Sequence, residues 1–477
     1  MSVANKIFTN TVWQVVIRGI SILIGVVNLG LITRILGATG FGFYTTIFAF
    51  VQMFMILADL GLYLTLLREV SSVDGKEKES RIVNNIFTIR FVSSFVLLAL
   101  APIVVQWFPY SAEVKISLVY FLAAFFFQSL TSTLAAVFAK KLAMPKVALV
   151  DLINKLAYLG LLGYLFFVGG KLSTVLFANS LTQIFAFIFL YIFLHKYIKL
   201  RFAWDFVYWR HVMIQTWPLA LTVVLNLVYF KADTLVLSVF ASPEEVGIYG
   251  APYRILEVLT TFPHMFMGLI LPFFTAAWLK KDFVKLRQVY QNSFDFFVML
   301  TIGMMIFIWL SSTAMMSILA GNEFAGSGPL LNILIIATAA IYFGTLFTYL
   351  VVAMSLQKKM IKYFLIAAVV GLVGYFVLIP QFGYWAAAWM TVLVELLIWF
   401  FAYLVVKKHV DLKTNMTVVW KSGEAAFAAL FIGWLFKDFH PLIMSFVALL
   451  SYGILLYFFK AVDKKMIKQL LNKETQC

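Results

Sequence analysis

The sequence predicts an all-α polytopic membrane protein with about 14 transmembrane helices, in two pseudo-symmetric six-helix lobes plus a C-terminal helix pair. Of its 477 residues, 63% are hydrophobic and 12% charged, whereas a soluble domain is roughly 45–50% apolar and about 25% charged. The polar residues form short clusters between long apolar runs. The single cysteine is Cys477, and no His/Cys spacing is typical of a metal site. We therefore expect neither a soluble enzyme nor a cofactor.

The predicted helices follow one another along the whole chain. A bilayer-spanning helix needs about 17–25 predominantly apolar residues. The first run is too long for a secretory signal and has no small-residue cleavage site, so we interpret it as an uncleaved first helix. The spans are centred near Leu23, Phe54, Leu98, Ala124, Ala157, Phe185, Val224, Leu259, Met305, Ala339, Val369, Val392, Ala428 and Leu449.

The basic residues predict the orientation of these helices. An even number of spans places both termini on one side, and a cytoplasmic N-terminus puts almost all loop lysines and arginines inside. The net charge of +16 thus reflects topology, and no nucleic-acid partner is expected. We expect a multi-pass protein of the cytoplasmic (inner) membrane with both termini cytoplasmic. The basic residues expected outside are Arg34, Lys115, Lys171 and Lys437.

The loops are too short to hold a catalytic domain. The longest expected inside connections, near residues 69–82, 195–211 and 406–420, are charged and short, as linkers between helices are. No Gly-rich phosphate loop of the G-x-x-x-x-G-K-[ST] type occurs, which argues against direct drive by ATP. We expect a function within or across the bilayer, that of a transporter rather than an enzyme.

An internal repeat relates the two halves of the chain. Gly42 and Tyr44 in FGFY match Gly247 and Tyr249 in VGIY, six helices further on. Because the offset is an even number of helices, both copies have the same orientation in the membrane. This predicts two lobes related by an axis along the membrane normal, with a central site between them. A chance match of small and aromatic residues is the alternative. The predicted boundaries are 1–206 for the N-terminal lobe, 207–410 for the C-terminal lobe and 411–477 for the helix pair with its basic tail.

Several stretches resemble one transporter family. They are TRILGATGFGFY, DLGL from Asp59, REVS from Arg68 and KADTLVLSVFASPEEVGIYGAPYRILEV from Lys231. These motifs are similar to those of the polysaccharide-transporter branch of the multidrug/oligosaccharidyl-lipid/polysaccharide (MOP) exporter superfamily. The resemblance covers nearly the whole chain. Its best-known members are O-antigen and capsule flippases, built as two six-helix lobes and a final helix pair.

The resemblance implies a substrate made of an oligosaccharide on a polyprenyl diphosphate, as in O-antigen lipopolysaccharide, capsule or exopolysaccharide repeat units. Alternating access of the lobes would move it from the cytoplasmic to the periplasmic leaflet. Polysaccharide polymerases and ligases are the protein partners that this role implies. A lipid II flippase is a close alternative with the same diphosphate chemistry. A multidrug or cation antiporter of the superfamily would be expected to have twelve helices and an acid-dominated cavity.

Five basic residues fall inside the predicted spans, where an ionisable side chain costs about 3 kcal/mol or more and usually faces a cavity or a partner. Arg90 lies nearer the end of its predicted span, so we expect it to snorkel to the interface and leave it out of the site. Arginine binds phosphate through a planar fork and lysine as a mobile point charge. The predicted substrate-binding cations are Arg18, Lys155, Lys231 and Arg254.

Each of these cations has an alternative role in an ion pair. Arg18 and Asp59 lie level, ~21 and ~22 Å below the outer ends of their helices, although we favour a cavity role for Arg18. Lys155 has Asp151 one turn away in the same helix, which permits a pair.

The seventh and eighth spans carry four charges that can satisfy one another. Arg254 and Glu257 are three residues apart and can pair within their helix, while Asp233 is a second partner at similar depth. Lys231 and Asp233 are two residues apart and project to roughly opposite faces, so we expect no mutual neutralisation.

The remaining site residues are acids and polar side chains. Glu395, near the middle of its span in TVLVELLIWF, is the best candidate for coupling to H⁺ or Na⁺, with a hydrogen bond to a neighbouring helix as the alternative. Asp59, Asp233 and Glu257 would support the cations or take part in ion coupling. Asn226 and Tyr229, about one turn apart, would contact the sugars or hold neighbouring helices together.

Overall fold

The computed structural model describes residues 3–59, 61–73 and 75–461. This part of the chain contains α-helices, two short 3-10 helices and no strand. Ten of its helical stretches are long and apolar enough to cross a membrane, which confirms the all-α polytopic class. The helices are α1 (Val3–Asp59), α2 (Leu62–Ser71), α3 (Lys76–Val104), α4 (Ala112–Lys140), α5 (Met144–Val168), α6 (Leu172–His195), α7 (Phe206–Phe240), α8 (Pro243–Leu279), α9 (Phe283–Ala320), α10 (Gly328–Ala353), α11 (Gln357–Lys407), α12 (Thr417–Trp434) and α13 (Pro441–Phe458).

Two of these helices each contain two predicted spans. α1 is kinked at Gly37, where φ is 65°, and α11 at Gly383, where φ is 55°. Glycine adopts such positive φ values without the steric cost that a Cβ brings. The centre of every predicted span lies within a helix. The number of about fourteen spans stays a prediction. We name the parts on either side of the kinks α1a (residues 3–36), α1b (38–59), α11a (357–382) and α11b (384–407).

Contacts divide the chain into two compact units. This division does not test the two lobes and the helix pair predicted from the sequence, whose boundaries stay predictions. Unit 1 comprises residues 1–251, 319–323 and 371–387, and unit 2 comprises residues 252–318, 324–370 and 388–477.

In unit 1, α1 packs along α5, and α4 packs along α6. A buried apolar cluster that includes Leu66, Val83, Leu134 and Leu190 joins α2, α3, α4 and α6. The chain between α6 and α7 is tied to α3 by side chains that accept backbone N–H bonds. Asn84, Thr88 and Asn85 bind the amides of residues 201, 203 and 205 at 3.0–3.2 Å. These bonds fix the point at which α7 begins.

Unit 2 holds a second apolar cluster, in which α9 contacts α12 and α13 through Ile306, Ala429, Ala448 and Tyr452. The last two helices approach closely because Gly433 has no side chain. A Cβ built there would lie 2.9 Å from the Cβ of Ala448. The C-terminal pair is therefore packed against the rest of its unit.

Candidate functional site

Asp59 and Arg90 form an ion pair in unit 1. One guanidinium nitrogen of Arg90 lies 2.5 Å from the Asp59 carboxylate, with the Arg90 side chain 1% exposed. The expectation that Arg90 snorkels to an interface was therefore wrong. α3 begins at Lys76, so Arg90 lies fourteen residues into the helix, about 21 Å from its start. At that depth an arginine needs a partner, and a count from Lys76 would have indicated one.

The helix that carries Asp59 is interrupted at this pair. α1b ends at Asp59 and α2 begins at Leu62, with Gly61 as its N-cap at φ 80° and no side-chain cap. The Ser93 hydroxyl of α3 donates a hydrogen bond to the Ala58 carbonyl at 3.1 Å, which satisfies one carbonyl group freed by the break. α1b has 22 residues, about 33 Å of helix, so the break lies at the end of this span.

Arg18 lies on α1a, in the first span, and its side chain is exposed. Within the described part of the chain it forms no ion pair, since Asp59 is engaged by Arg90. Its guanidinium acts electrostatically on the hydroxyl of Tyr63, the second residue of α2. The structure thus places the exposed guanidinium of Arg18 within electrostatic reach of the start of α2.

Lys155 lies on α5 beside α1a. A Cβ built on Gly25 would lie 3.9 Å from the Lys155 ammonium nitrogen, and the Asn28 side chain donates to the Lys155 carbonyl at 3.2 Å. The ammonium group is 3.5 Å from the Asp151 carboxylate, which confirms the predicted intrahelical pair. Lys155 is half-buried at 31% exposure and Asp151 is exposed at 48%, so the pair contributes little to stability.

Lys231 and Asp233 are both buried, at 5% and 1% exposure. The Tyr249 hydroxyl donates to the Asp233 carboxylate at 2.7 Å and the Thr234 amide at 2.5 Å. Lys231 lies 6.0 Å from the centre of the Phe48 ring. Lys231 also acts electrostatically on Asp233, and the expectation that the two charges do not neutralise each other stays a prediction.

Arg254 pairs with Glu257 at 2.7 Å in unit 2, as their spacing of three residues predicted. Glu395 is buried at 7% exposure on α11b, and it has interaction partners of its own. The side chains of Asn226 and Tyr229 lie outside the described residues. Arg18, Lys155 and the break after Asp59 all belong to unit 1.

The two copies of the sequence repeat contact each other in unit 1. A Cβ on Gly42 would lie 1.7 Å from the Pro243 carbonyl oxygen, and one on Gly247 would lie 2.1 Å from the Ala38 carbonyl oxygen. The repeat relates Gly42 to Gly247 and Ala38 to Pro243, so the contact is reciprocal, as at a two-fold axis. Sequence matching identified the repeat but gave no sign that its copies touch.

Both helices that meet here are capped by carboxylates. Glu323 accepts from the Ala38 amide, the first of α1b, at 2.9 Å. Glu245 accepts from the Ser242 amide at 2.9 Å, and the Ser242 hydroxyl accepts from the Glu245 amide at 3.3 Å, which forms a capping box. A carboxylate at a helix N-terminus also interacts favourably with the helix dipole. The caps therefore hold both helices in place at the glycine contact.

Comparison with known proteins supports the membrane-transporter interpretation of this fold. The profile of a family described as polysaccharide biosynthesis protein matches residues 7–278, more than half of the chain. No curated protein sequence matches the chain significantly.

Several solved structures of the same fold are transporters. The lipid II flippase MurJ, in an inward closed conformation, is 14% identical with a TM-score of 0.75, over 94% of this chain and 99% of that chain. An inward-facing multidrug resistance MATE family transporter of the MOP superfamily is 13% identical with a TM-score of 0.69, over 84% and 100%. A MOP superfamily transporter from Pyrococcus furiosus, described by a binding pocket of reverse polarity, is 12% identical with a TM-score of 0.63, over 86% and 96%. At these identities the likeness establishes the fold, and with the profile match it shows that the chain belongs to the polysaccharide biosynthesis protein family, in the fold of the MOP transporter superfamily.

Proposed function

We propose that the protein is a flippase for an oligosaccharide linked to a polyprenyl diphosphate, such as the repeat unit of an O-antigen, a capsule or an exopolysaccharide. It would move this lipid from the cytoplasmic to the periplasmic leaflet of the inner membrane by alternating access. The family and the transporter fold support the proposal. The observation that carries it is Arg18, an exposed cation within a span whose expected partner, Asp59, is engaged by Arg90.

The chemistry of a diphosphate suits this arrangement. Arg18 can donate two parallel hydrogen bonds to phosphate oxygens, and Lys155 supplies a second, mobile positive charge. Lys155 lies near Gly25, about 10 Å along α1a from Arg18, a separation that a diphosphate and its first sugar can bridge. We give Lys231 and Arg254 a lesser part in binding, because each already interacts with an acid. Asp59 then holds Arg90, while Asp233 and Glu257 hold Lys231 and Arg254.

Two related functions differ from this one in testable ways. A multidrug antiporter needs acids for cationic drugs, whereas the exposed group on α1a is a cation. A lipid II flippase would bind the same diphosphate, but its loss should cause lysis, while loss of a surface-glycan flippase should abolish that glycan only. Coupling to H⁺ or Na⁺ through Glu395 is part of the same proposal, and transport measured with and without each ion gradient tests it.

Replacing Arg18 by alanine is expected to lower glycan export at least tenfold, because the loss of one charge-assisted contact of about 1.5–3 kcal/mol weakens binding of the diphosphate. Arg18→Lys should restore part of the export, and Lys155→Ala should cause a smaller loss. Export is measured as surface glycan per amount of flippase in the membrane, in cells that lack their own flippase.

Arg201→Ala and Lys199→Ala are matched controls, since both side chains are exposed in the chain between α6 and α7. Both controls should export normally. Full export by Arg18→Ala at normal protein level would remove the basis of the proposed site.

A further inference from the structure

Unit 2 contains a large cavity that the proposed transport site does not use. Its volume is about 950 Å³, at the upper end of the range for small-ligand pockets. Its walls come from α9, α10, α11b and α12, and they are rich in aromatic side chains. Phe343 and Trp399 stack with ring centres 5.1 Å apart, and Phe347 meets Tyr403 edge-on at 5.5 Å. Walls of this kind suit hydrocarbon chains.

The mouth of the cavity is formed by the connection between α11b and α12, and this connection is fixed in place. The Arg287 side chain donates to the Asp411 carbonyl at 2.8 Å, and the Tyr290 hydroxyl bonds the Thr414 hydroxyl at 2.8 Å. The Gln291 side chain donates to the Asn415 carbonyl and accepts from its amide, both at 2.9 Å. Because α9 holds four groups of this connection, on residues 411, 414 and 415, the mouth keeps its shape.

The charges at this mouth are predominantly positive. Lys407, Asp411 and Lys413 line it, and all three are exposed. Lys407 lies 5.5 Å from the centre of the Tyr403 ring. Neither lysine has a carboxylate partner within the described residues. The mouth thus carries one excess positive charge, at the end of the helices that the basic residues predict to be cytoplasmic.

We propose that this cavity binds an anionic phospholipid of the cytoplasmic leaflet, with its acyl chains between the aromatic walls and its phosphate at Lys407 and Lys413. A phosphatidylglycerol head group carries one negative charge, which complements the charge of the mouth. Basic pockets between spanning helices on the cytoplasmic side recognise anionic head groups in this way. The site does not include Arg18 or Lys155, which belong to unit 1. It can therefore be tested separately from the proposed flippase function.

Native mass spectrometry of the purified full-length protein tests this site. The protein is mixed with equal amounts of phosphatidylglycerol, phosphatidylcholine and undecaprenyl monophosphate, and the lipids that stay bound are counted. The wild type should retain phosphatidylglycerol preferentially. The double variant Lys407→Ala, Lys413→Ala should retain less phosphatidylglycerol, by about fivefold for each lysine removed. The double variant Lys407→Arg, Lys413→Arg should retain as much as the wild type, because both positive charges remain.

The matched control is Lys358→Ala, Lys362→Ala. These lysines are exposed at the start of α11a, and Lys362 lies 4.8 Å from the centre of the Tyr363 ring, much as Lys407 lies over Tyr403. The control should retain phosphatidylglycerol as the wild type does. Equal retention of the two phospholipids by the wild type, or equal losses in both alanine variants, would overturn the proposal. Preferential retention of undecaprenyl monophosphate would also overturn it and assign the cavity to a polyprenyl chain.

Discussion

Arg90→Ala is expected to destabilise the protein by about 3 kcal/mol, the lower end of the usual cost of removing one partner of a buried ion pair, because the remaining Asp59 side chain is 28% exposed. The loss arises because the Asp59 carboxylate at the helix break no longer has its guanidinium partner. The double variant Asp59→Ala, Arg90→Ala should recover part of the stability, since no uncompensated charge then remains. The measurement is the temperature at which the detergent-purified protein unfolds.

Arg81→Ala is the matched control for this prediction. Arg81 lies on the same helix and pairs with Asp205 at 2.6 Å, but its side chain is 71% exposed. Exposed pairs contribute little, so this variant should unfold near the wild-type temperature. Equal losses in the Arg90 and Arg81 variants would show that burial of the Asp59–Arg90 pair has no energetic consequence.

Gly42→Ala should separate the two copies of the repeat where they contact each other. The added Cβ would lie 1.7 Å from the Pro243 carbonyl oxygen, so backbone must move rather than a flexible side chain. Overpacking typically lowers the free energy of unfolding by about 1–3 kcal/mol. We expect a loss of about 3 kcal/mol for Gly42→Ala, because the clash is with backbone. Unfolding temperature and export per amount of membrane protein should both fall. Gly247→Ala should behave similarly, since its Cβ would meet the Ala38 carbonyl oxygen at 2.1 Å.

Gly160→Ala provides the comparison for these glycine variants. Gly160 lies within α5, and outside the backbone of its own helix no atom lies within 4 Å of an added Cβ. Alanine is favoured over glycine inside a helix by roughly 0.5–1 kcal/mol, so this variant should be as stable as the wild type or slightly more. A Gly42→Ala protein that melts and exports like Gly160→Ala would mean that the close contact between the repeats is not required.

The local parts of the site could be predicted from the sequence. The pairs Arg254–Glu257 and Lys155–Asp151 were expected because spacings of three and four place side chains on one helix face. The membrane class followed from apolar run length, which depends on each segment alone.

The non-local parts could not be predicted in the same way. Arg90 was misjudged because its apolar run is centred near Leu98, while α3 starts at Lys76 and thus has Arg90 at its middle. Its pairing with Asp59 depends on how two helices pack, which no spacing rule describes. The positions of the helix kinks could not be predicted either. The two spans in α1 meet at Gly37 and the two in α11 meet at Gly383, with a single non-helical residue at each junction.

Transport by the purified protein in lipid vesicles tests the central claim most directly. A fluorescent oligosaccharide on a polyprenyl diphosphate is placed in one leaflet, and its arrival in the other is followed over time, beside empty vesicles and the Arg18→Ala protein. We predict rapid movement of this lipid with the wild type and slow movement with Arg18→Ala. A wild-type protein that moves cationic drugs but leaves the lipid-linked oligosaccharide in its original leaflet would contradict the account.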